Sequence, residues 1–481
     1  MPPSLATLLW FILTLVLFRL DPAKDRDASP ALWIPTAWIF FTASRLPAQW
    51  LGASVGTASQ AMEEGNPIDR LIFSGLMILS IVVLMSRSFN WNRFFSRNFA
   101  LIALIAFALV SAVWSDFPLV SAKRWFRDLG NYFVILVVFS DRRPFDAVVT
   151  VLRRLCYLLI PVSILMIKYY PNLGKVFSFW TGAAEFIGAT TSKNMLGVLC
   201  LVSGIFFCWD TLNRWRDRKD KQTRKILILN GAFIWMTLWL LNLSNSATST
   251  VCLAIGCLVL LAAHTKFSRR HPSFLKFMVP TSFCIYLILA FGLDINGDLA
   301  GAVGRDPTLT GRSDIWKAVL STHTNPIVGA GYESFWLGDR LTVIWRSPAG
   351  HVNEAHNGYL ELYLSLGLVG VSLLFALLVS SYRIICKKLS SLKLASLGLA
   401  LWTVLLFYNM TESAAFKGQL LWVIFLLVVI TVSVHSPIER DDRLPQTVTV
   451  KAFPNDVREG VAARDRVRPE LVHGRMPRGA A

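Results

Sequence analysis

The sequence predicts an all-α polytopic membrane protein with about 12–13 transmembrane helices and one large loop on the outer side. Three observations predict this. The 481-residue chain is 54% hydrophobic and only 16% charged, where a soluble domain of this size carries about 25% charged residues. Apolar runs of about 20 residues, each long enough to cross a bilayer, recur along it. The runs lack the period-2 alternation of barrel strands, so the need to satisfy every backbone group inside the bilayer selects helices.

The first run, 5–19, has no basic stretch before it and no A-x-A cleavage pattern, and reads as a retained span or interfacial helix. Further runs lie at 31–48, 69–86, 99–114, 128–140, 147–168, 193–209, 226–243, 248–265, 275–292, 357–382, 394–410 and 419–435. The connections 87–97, 141–154, 213–225, 266–276 and 383–393 are basic, whereas 49–68, 244–249 and 411–418 are nearly free of Lys and Arg. The positive-inside rule therefore puts the basic connections in the cytoplasm and the polar block 293–356 outside. Two outer connections break the pattern: 115–127 carries Lys123, Arg124 and Arg127, and 168–193 carries three lysines. Four regions result: a bundle over 1–292, a periplasmic loop over 293–356, C-terminal helices over 357–435 and a cytoplasmic tail over 436–481. The tail is rich in Arg, Pro and Asp and lacks apolar periodicity, so disorder is expected there.

The formal net charge is +18. Most of it sits in short connections between spans, which excludes a nucleic-acid partner for want of a basic, aromatic-interleaved soluble domain. The seven cysteines all lie in or beside apolar runs, with no C-x-x-C and no Cys/His metal spacing. They read as small buried hydrophobes. No internal repeat is visible, although many secondary transporters carry one.

Chemistry concentrates in the outer block. A loop this long with its own helix and turn signals is usually functional. "GRSDIWKAVL" reads as a short helix and "NPIVGAGYESFW" as a glycine-rich turn followed by an aromatic segment. Arg305 and Arg312 flank "DPTLTG". Two guanidiniums across a turn can grip a diphosphate; ordinary Arg305–Asp306 and Arg312–Asp314 ion pairs are the alternative. His356 opens a span, and an imidazole titrating near neutrality can be a general base. Asn357 could orient it or hold a substrate hydroxyl, Glu354 could fix its tautomer, and helix capping is the plainer alternative. Glu361 lies inside the same helix, where a carboxylate is costly, and this points to a polar cavity. Lys193 and Asn194 start another span, where the lysine could meet a phosphate or snorkel. Glu412 sits in a tiny outer connection. Trp316, Tyr332 and Trp336 could line a sugar path or form an aromatic belt with Trp345.

Taken together, "GRDPTLTGRSDIW", "NPIVGAGYESFW", "EAHNGYLELYLSLGLVG", "SKNMLG" and "NMTES" resemble the O-antigen ligase superfamily, most closely its ExoQ-type exopolysaccharide polymerase branch, over residues 180–435. The resemblance implies a multi-pass enzyme of the bacterial inner membrane, with a fold related to GT-C glycosyltransferases and an active loop in the periplasm. It implies glycans linked to undecaprenyl diphosphate as substrate, and no metal or other cofactor. The matching residues are His356 as proposed base and Arg312, with Arg305 beside it, as diphosphate ligands. Asn357, Glu354, Lys193, Glu412, Trp316 and Tyr332 are substrate-binding candidates. A flippase and a chain-length co-polymerase are the expected partners besides the bilayer. One departure stands out: where family members commonly carry a basic residue, this chain has Asn245 and Ser246. Lys193, Arg124 or Arg127 would have to supply that contact.

The function expected is polymerisation of lipid-linked repeat units into exopolysaccharide, metal-independent and inverting. The alternatives are an O-antigen ligase acting on lipid A core and, in another class, a lipid-linked glycan transporter. A transporter would place ionisable residues near the bilayer midplane and break helices at Gly or Pro.

Overall fold

The computed structural model describes residues 1–21, 28–53, 65–177, 182–292, 312–348, 350–413, 416 and 418–434. Arg305 and the tail lie outside them. All the described residues belong to one compact unit, Met1–Pro437.

Each of the thirteen apolar runs is a helix. Leaving helices of seven residues or fewer aside, they are α1 (Pro3–Arg19), α2 (Trp33–Ala43), α3 (Pro67–Met85), α4 (Phe99–Val110), α5 (Pro118–Phe139), α6 (Pro144–Tyr169), α7 (Lys193–Arg214), α8 (Lys221–Ser244), α9 (Ala247–His264) and α10 (Pro272–Gly292). The polar loop adds α11 (Arg312–Ser321) and α12 (Gly338–Trp345), and α13 (Gly358–Lys388), α14 (Lys393–Thr411) and α15 (Leu420–Val434) complete the bundle. Among the described residues seven of these, α3, α6, α7, α8, α9, α13 and α14, are long and apolar enough to cross a membrane unaided. The chain is thus an all-α multi-pass membrane protein. A two-stranded hairpin, β1 (Lys175–Phe177) and β2 (Ala184–Phe186), lies between α6 and α7.

The fifth helix begins ten residues before the apolar run does, at Pro118, whose ring pre-sets the first turn. Lys123, Arg124 and Arg127 therefore stand on a helix and not in a connecting loop. Arg127 reaches Asp128 at 3.2 Å and Glu333 at 3.5 Å, and Arg124 donates to the Glu333 carbonyl. The three lysines of 168–193 are engaged as well. Lys168 lies over the Trp239 ring, Lys175 over Phe186, and Lys193 pairs with Glu185 at 2.6 Å.

Helix α15 is the axis of the bundle. Leu420 to Val432 are buried on every side, as expected of a helix apolar all round. It packs on α13, α14 and α5, while α7 packs on α8 and α9. Lipid tails are as apolar as leucine, so close backbone approach rather than water exclusion holds such helices together. Gly197 shows the principle: a Cβ there would lie 2.6 Å from the Ser249 hydroxyl, so only glycine lets α7 and α9 meet.

Helix α13 is interrupted at Gly367, whose φ of 61° and ψ of −162° are open only to glycine. The loop segment Pro326–Gly331 fills the break. Ala330 and Gly331 donate their N–H groups to the Leu364 and Ser365 carbonyls, both at 2.9 Å. Leu368 and Val369 donate to the Pro326 and Ile327 carbonyls at 2.9 and 3.1 Å. Unsatisfied, each such group would cost several kcal/mol away from water. "NPIVGAGYESFW" is therefore more than a turn: its first half is backbone infill for a broken helix.

Candidate active site

Four chain segments converge at one end of the bundle, opposite the basic connections. Asn357 caps α13, its Oδ1 accepting from the Tyr359 and Leu360 N–H groups at 3.0 and 3.1 Å. Its amide donates to the Met410 carbonyl at the end of α14, and the Gly358 N–H donates to the Glu412 carbonyl at 3.1 Å. A Cβ at Gly358 would lie 2.1 Å from Asn409 Oδ1, so glycine is what allows α13 to start against α14.

Glu412, which leaves α14 at this junction, is the hub. Its side chain is 9% exposed. Oε1 accepts from Arg312 Nη2 at 3.0 Å, and Oε2 accepts from Asn194 Nδ2 at 3.2 Å and lies 3.5 Å from His356 Nδ1. Arg312 starts α11 and Asn194 lies in the first turn of α7. Glu354 completes the cluster: Oε1 is 3.1 Å from His356 Nδ1, while Oε2 accepts from the Ser413 hydroxyl at 2.7 Å. His356 Nδ1 is itself buried and makes no aligned hydrogen bond, so the ring nitrogen sits between two carboxylate oxygens and not in line with either. His356 also adopts a φ of 50°, a left-handed conformation that costs a non-glycine residue about 1–2 kcal/mol.

The electrostatics follow from this geometry. Burial alone depresses the His356 imidazole, and Arg312 adds to that; contact with Glu412, together with the charges of Glu354 and Glu412, outweighs both, so its pKa is raised above the ordinary value. Two carboxylates at Nδ1 select the tautomer protonated there and leave Nε2 as the basic nitrogen.

The structure thus brings His356, Arg312, Glu354, Asn357 and Glu412 together. It puts Lys193 on Glu185 instead, outside the contacts that join the cluster. The polar atoms of the candidate aromatics face protein. Trp316 Nε1 donates to the Ala355 carbonyl at 2.8 Å, the Tyr332 hydroxyl to Asp128 Oδ2 at 2.8 Å, and Trp336 Nε1 to both oxygens of Glu361 at 3.1 and 3.0 Å. Glu361 likewise faces protein and is 2% exposed. Asn194 was the less obvious member of its pair in sequence, since the neighbouring lysine carries the charge. Ser413 closes the "NMTES" motif but was not singled out within it, and Asp128 gave no sequence signal.

Glu354, His356 and Glu412 offer ligand atoms within 4.8 Å of one another, a spacing that could hold a divalent cation. The Arg312 guanidinium already brings a positive charge to Glu412 at 3.0 Å and competes for that carboxylate.

Residues 231–375 match the O-antigen ligase family. The matched segment contains Arg312, Glu354, His356 and Asn357; Asn194 and Glu412 reach the site from either side of it. The chain is also 26% identical over 304 residues to the "Exopolysaccharide production protein ExoQ" of Rhizobium meliloti (strain 1021). That alignment takes in 58% of this chain and 63% of the relative, so the chain spans somewhat less than two thirds of the relative's length. The resemblance drawn from the five sequence motifs is borne out.

Proposed function

We propose that this protein is a glycosyltransferase of the bacterial inner membrane that polymerises undecaprenyl-diphosphate-linked oligosaccharide units into exopolysaccharide. The observation that carries this reading is the chain of contacts from Arg312 through Glu412 to His356, an anion-binding cation and a titratable base held by one carboxylate. The family match and the exopolysaccharide relative support the substrate class.

In this reading the acceptor hydroxyl is bound at Nε2 of His356. Its oxygen attacks the anomeric carbon of the donor sugar as Nε2 takes the proton. The bond from that carbon to the diphosphate oxygen breaks, and undecaprenyl diphosphate leaves with the bonding pair. Attack from the face opposite the leaving group inverts the centre. Arg312 offsets the charge developing on the diphosphate, the role a metal plays in other transferases; Arg305, expected from the sequence to share it, lies outside the described residues. Glu354 and Glu412 hold the imidazole and stabilise it once protonated, as an orienting carboxylate does in a Ser-His-Asp triad. The cluster then stands on the periplasmic side, a placement that the basic connections at the far end of the bundle support under the positive-inside rule. The flippase that delivers donor and the co-polymerase that sets chain length are its expected partners.

A transporter reading predicts a broken helix, and α13 is broken. Its freed backbone groups, however, are engaged by the loop's own backbone, where a transporter would leave them for an ion.

The experiment uses the full chain in liposomes with a lipid-diphosphate oligosaccharide. Wild type releases undecaprenyl diphosphate and builds long polymer, and EDTA leaves the rate unchanged. His356→Ala and Arg312→Ala, inserted at wild-type level, lose about a hundredfold or more. Normal polymer from both variants refutes the reading, and chelator sensitivity would reassign Glu354, His356 and Glu412 to a cation. In cells, deletion shortens exopolysaccharide and spares lipopolysaccharide; the reverse marks a ligase.

A further inference from the structure

Ala355, the residue before the strained histidine, is held on both of its peptide groups. Its N–H donates to Glu361 Oε1 at 2.5 Å, and its carbonyl accepts from Trp316 Nε1 at 2.8 Å. Its methyl group is fully buried in a second apolar core with Ile315, Val319, Phe335, Trp336 and Leu364. Glu361 comes from the first turn of α13 and is 2% exposed. Besides Ala355, it takes the Trp336 indole N–H on both oxygens. A carboxylate buried among apolar side chains is costly unless several donors converge on it. Nothing in the transfer chemistry above uses this one. What it does hold is the peptide immediately before His356.

We propose that Glu361 is a positioning residue for His356, acting through Ala355. With the peptides on either side of residue 355 fixed by Glu361 and Trp316, the chain enters residue 356 in one direction only. The φ of 50° is then imposed from outside, and it aims Nδ1 between Glu354 and Glu412. Released, the residue relaxes to the negative φ that non-glycine residues prefer, and the imidazole swings off its carboxylates. A carboxylate presents acceptor oxygens and no donor to both N–H groups. A glutamine offers one acceptor oxygen and an NH₂ group, so either the Ala355 or the Trp336 N–H would face another donor.

This rests on His356 being the base, and the test separates the two ideas by reading the histidine directly as well as the rate. Glu361→Gln and Trp316→Phe are made in the full chain and reconstituted in liposomes. In each, kcat falls ten- to hundredfold while KM for the lipid-linked donor stays within about twofold, because Arg312 is untouched. Carbethoxylation of His356 by diethyl pyrocarbonate, followed by mass spectrometry across pH, shifts to a different midpoint in both variants. An unchanged His356 titration in Glu361→Gln overturns the proposal whatever the rate does. So does a loss of kcat accompanied by an equal rise in KM and a lower melting temperature in detergent, the mark of a purely structural role. His356→Ala run alongside reports on the base by itself: if it polymerises normally, the base reading fails, while the modification data still decide the positioning.

Discussion

At the scale of single residues, the site is governed by how Glu412 divides its two oxygens between a guanidinium and an imidazole. The raised pKa of His356 means that its basic form becomes dominant at a higher pH than for an unperturbed imidazole. Activity is therefore expected to rise with pH through that raised value. Glu412→Gln removes the contact and one of the two charges that raise it, so the ascending limb of the pH–rate profile moves to lower pH, and the maximum rate falls about tenfold or more as Arg312 loses its partner. Stability has the opposite sign. A folded-state pKa above the unfolded one contributes stability that is complete at low pH and is lost as pH rises through the folded value. The melting temperature of the wild type in detergent should accordingly decline over the same interval in which activity climbs, and the decline should be weaker in Glu412→Gln. A profile that keeps its midpoint in this variant would remove Glu412 from the role assigned to it.

At the scale of elements, the break in α13 makes a sharp prediction. Gly367→Ala requires a methyl group 2.3 Å from the Ile327 carbonyl in a conformation alanine avoids. The backbone term alone is about 1–2 kcal/mol, and the clash with main chain adds to it because backbone cannot swing aside as a side chain can. Thermal unfolding in detergent should show a marked loss for Gly367→Ala and for Gly329→Ala, which meets the Leu366 N–H at 2.5 Å, and little change for Gly75→Ala, which meets nothing. The thirteen helices themselves were legible in sequence, because a bilayer writes span length and apolarity directly into composition. The interruption was not. A glycine inside an apolar run is silent until the segment that pairs with it is known, and that segment lies about forty residues upstream. The start of α5 was misplaced for a related reason: Lys123, Arg124 and Arg127 look like loop, yet their partners Asp128 and Glu333 allow a helix there.

At the scale of the whole molecule, the site is a meeting of distant segments. His356, Glu354 and Asn357 were legible because they are adjacent and polar at the head of an apolar run. Arg312 stood out by its motif. Glu412 stood out by its motif as well, but its place as their common partner did not, since it lies 100 residues from Arg312 and 218 from Asn194. The aromatics were legible as important but not in role: Tyr332 and Trp336 turn their polar atoms to Asp128 and Glu361 and fix the loop to the bundle, while Trp316 turns its own to Ala355 and ties the loop to itself.

The infill of α13 by residues 326–331 has a consequence for how this architecture can be rebuilt. Loop and helix are two halves of one interlocked joint, so a recombinant that takes residues 312–357 from a homologous chain and keeps the resident 358–388 mates surfaces that never adapted to each other. Such a hybrid should accumulate poorly in the membrane, whereas one exchanging 312–388 as a block should accumulate normally. Specificity for a particular sugar would then be portable between homologues only as a cassette that carries its own fractured helix.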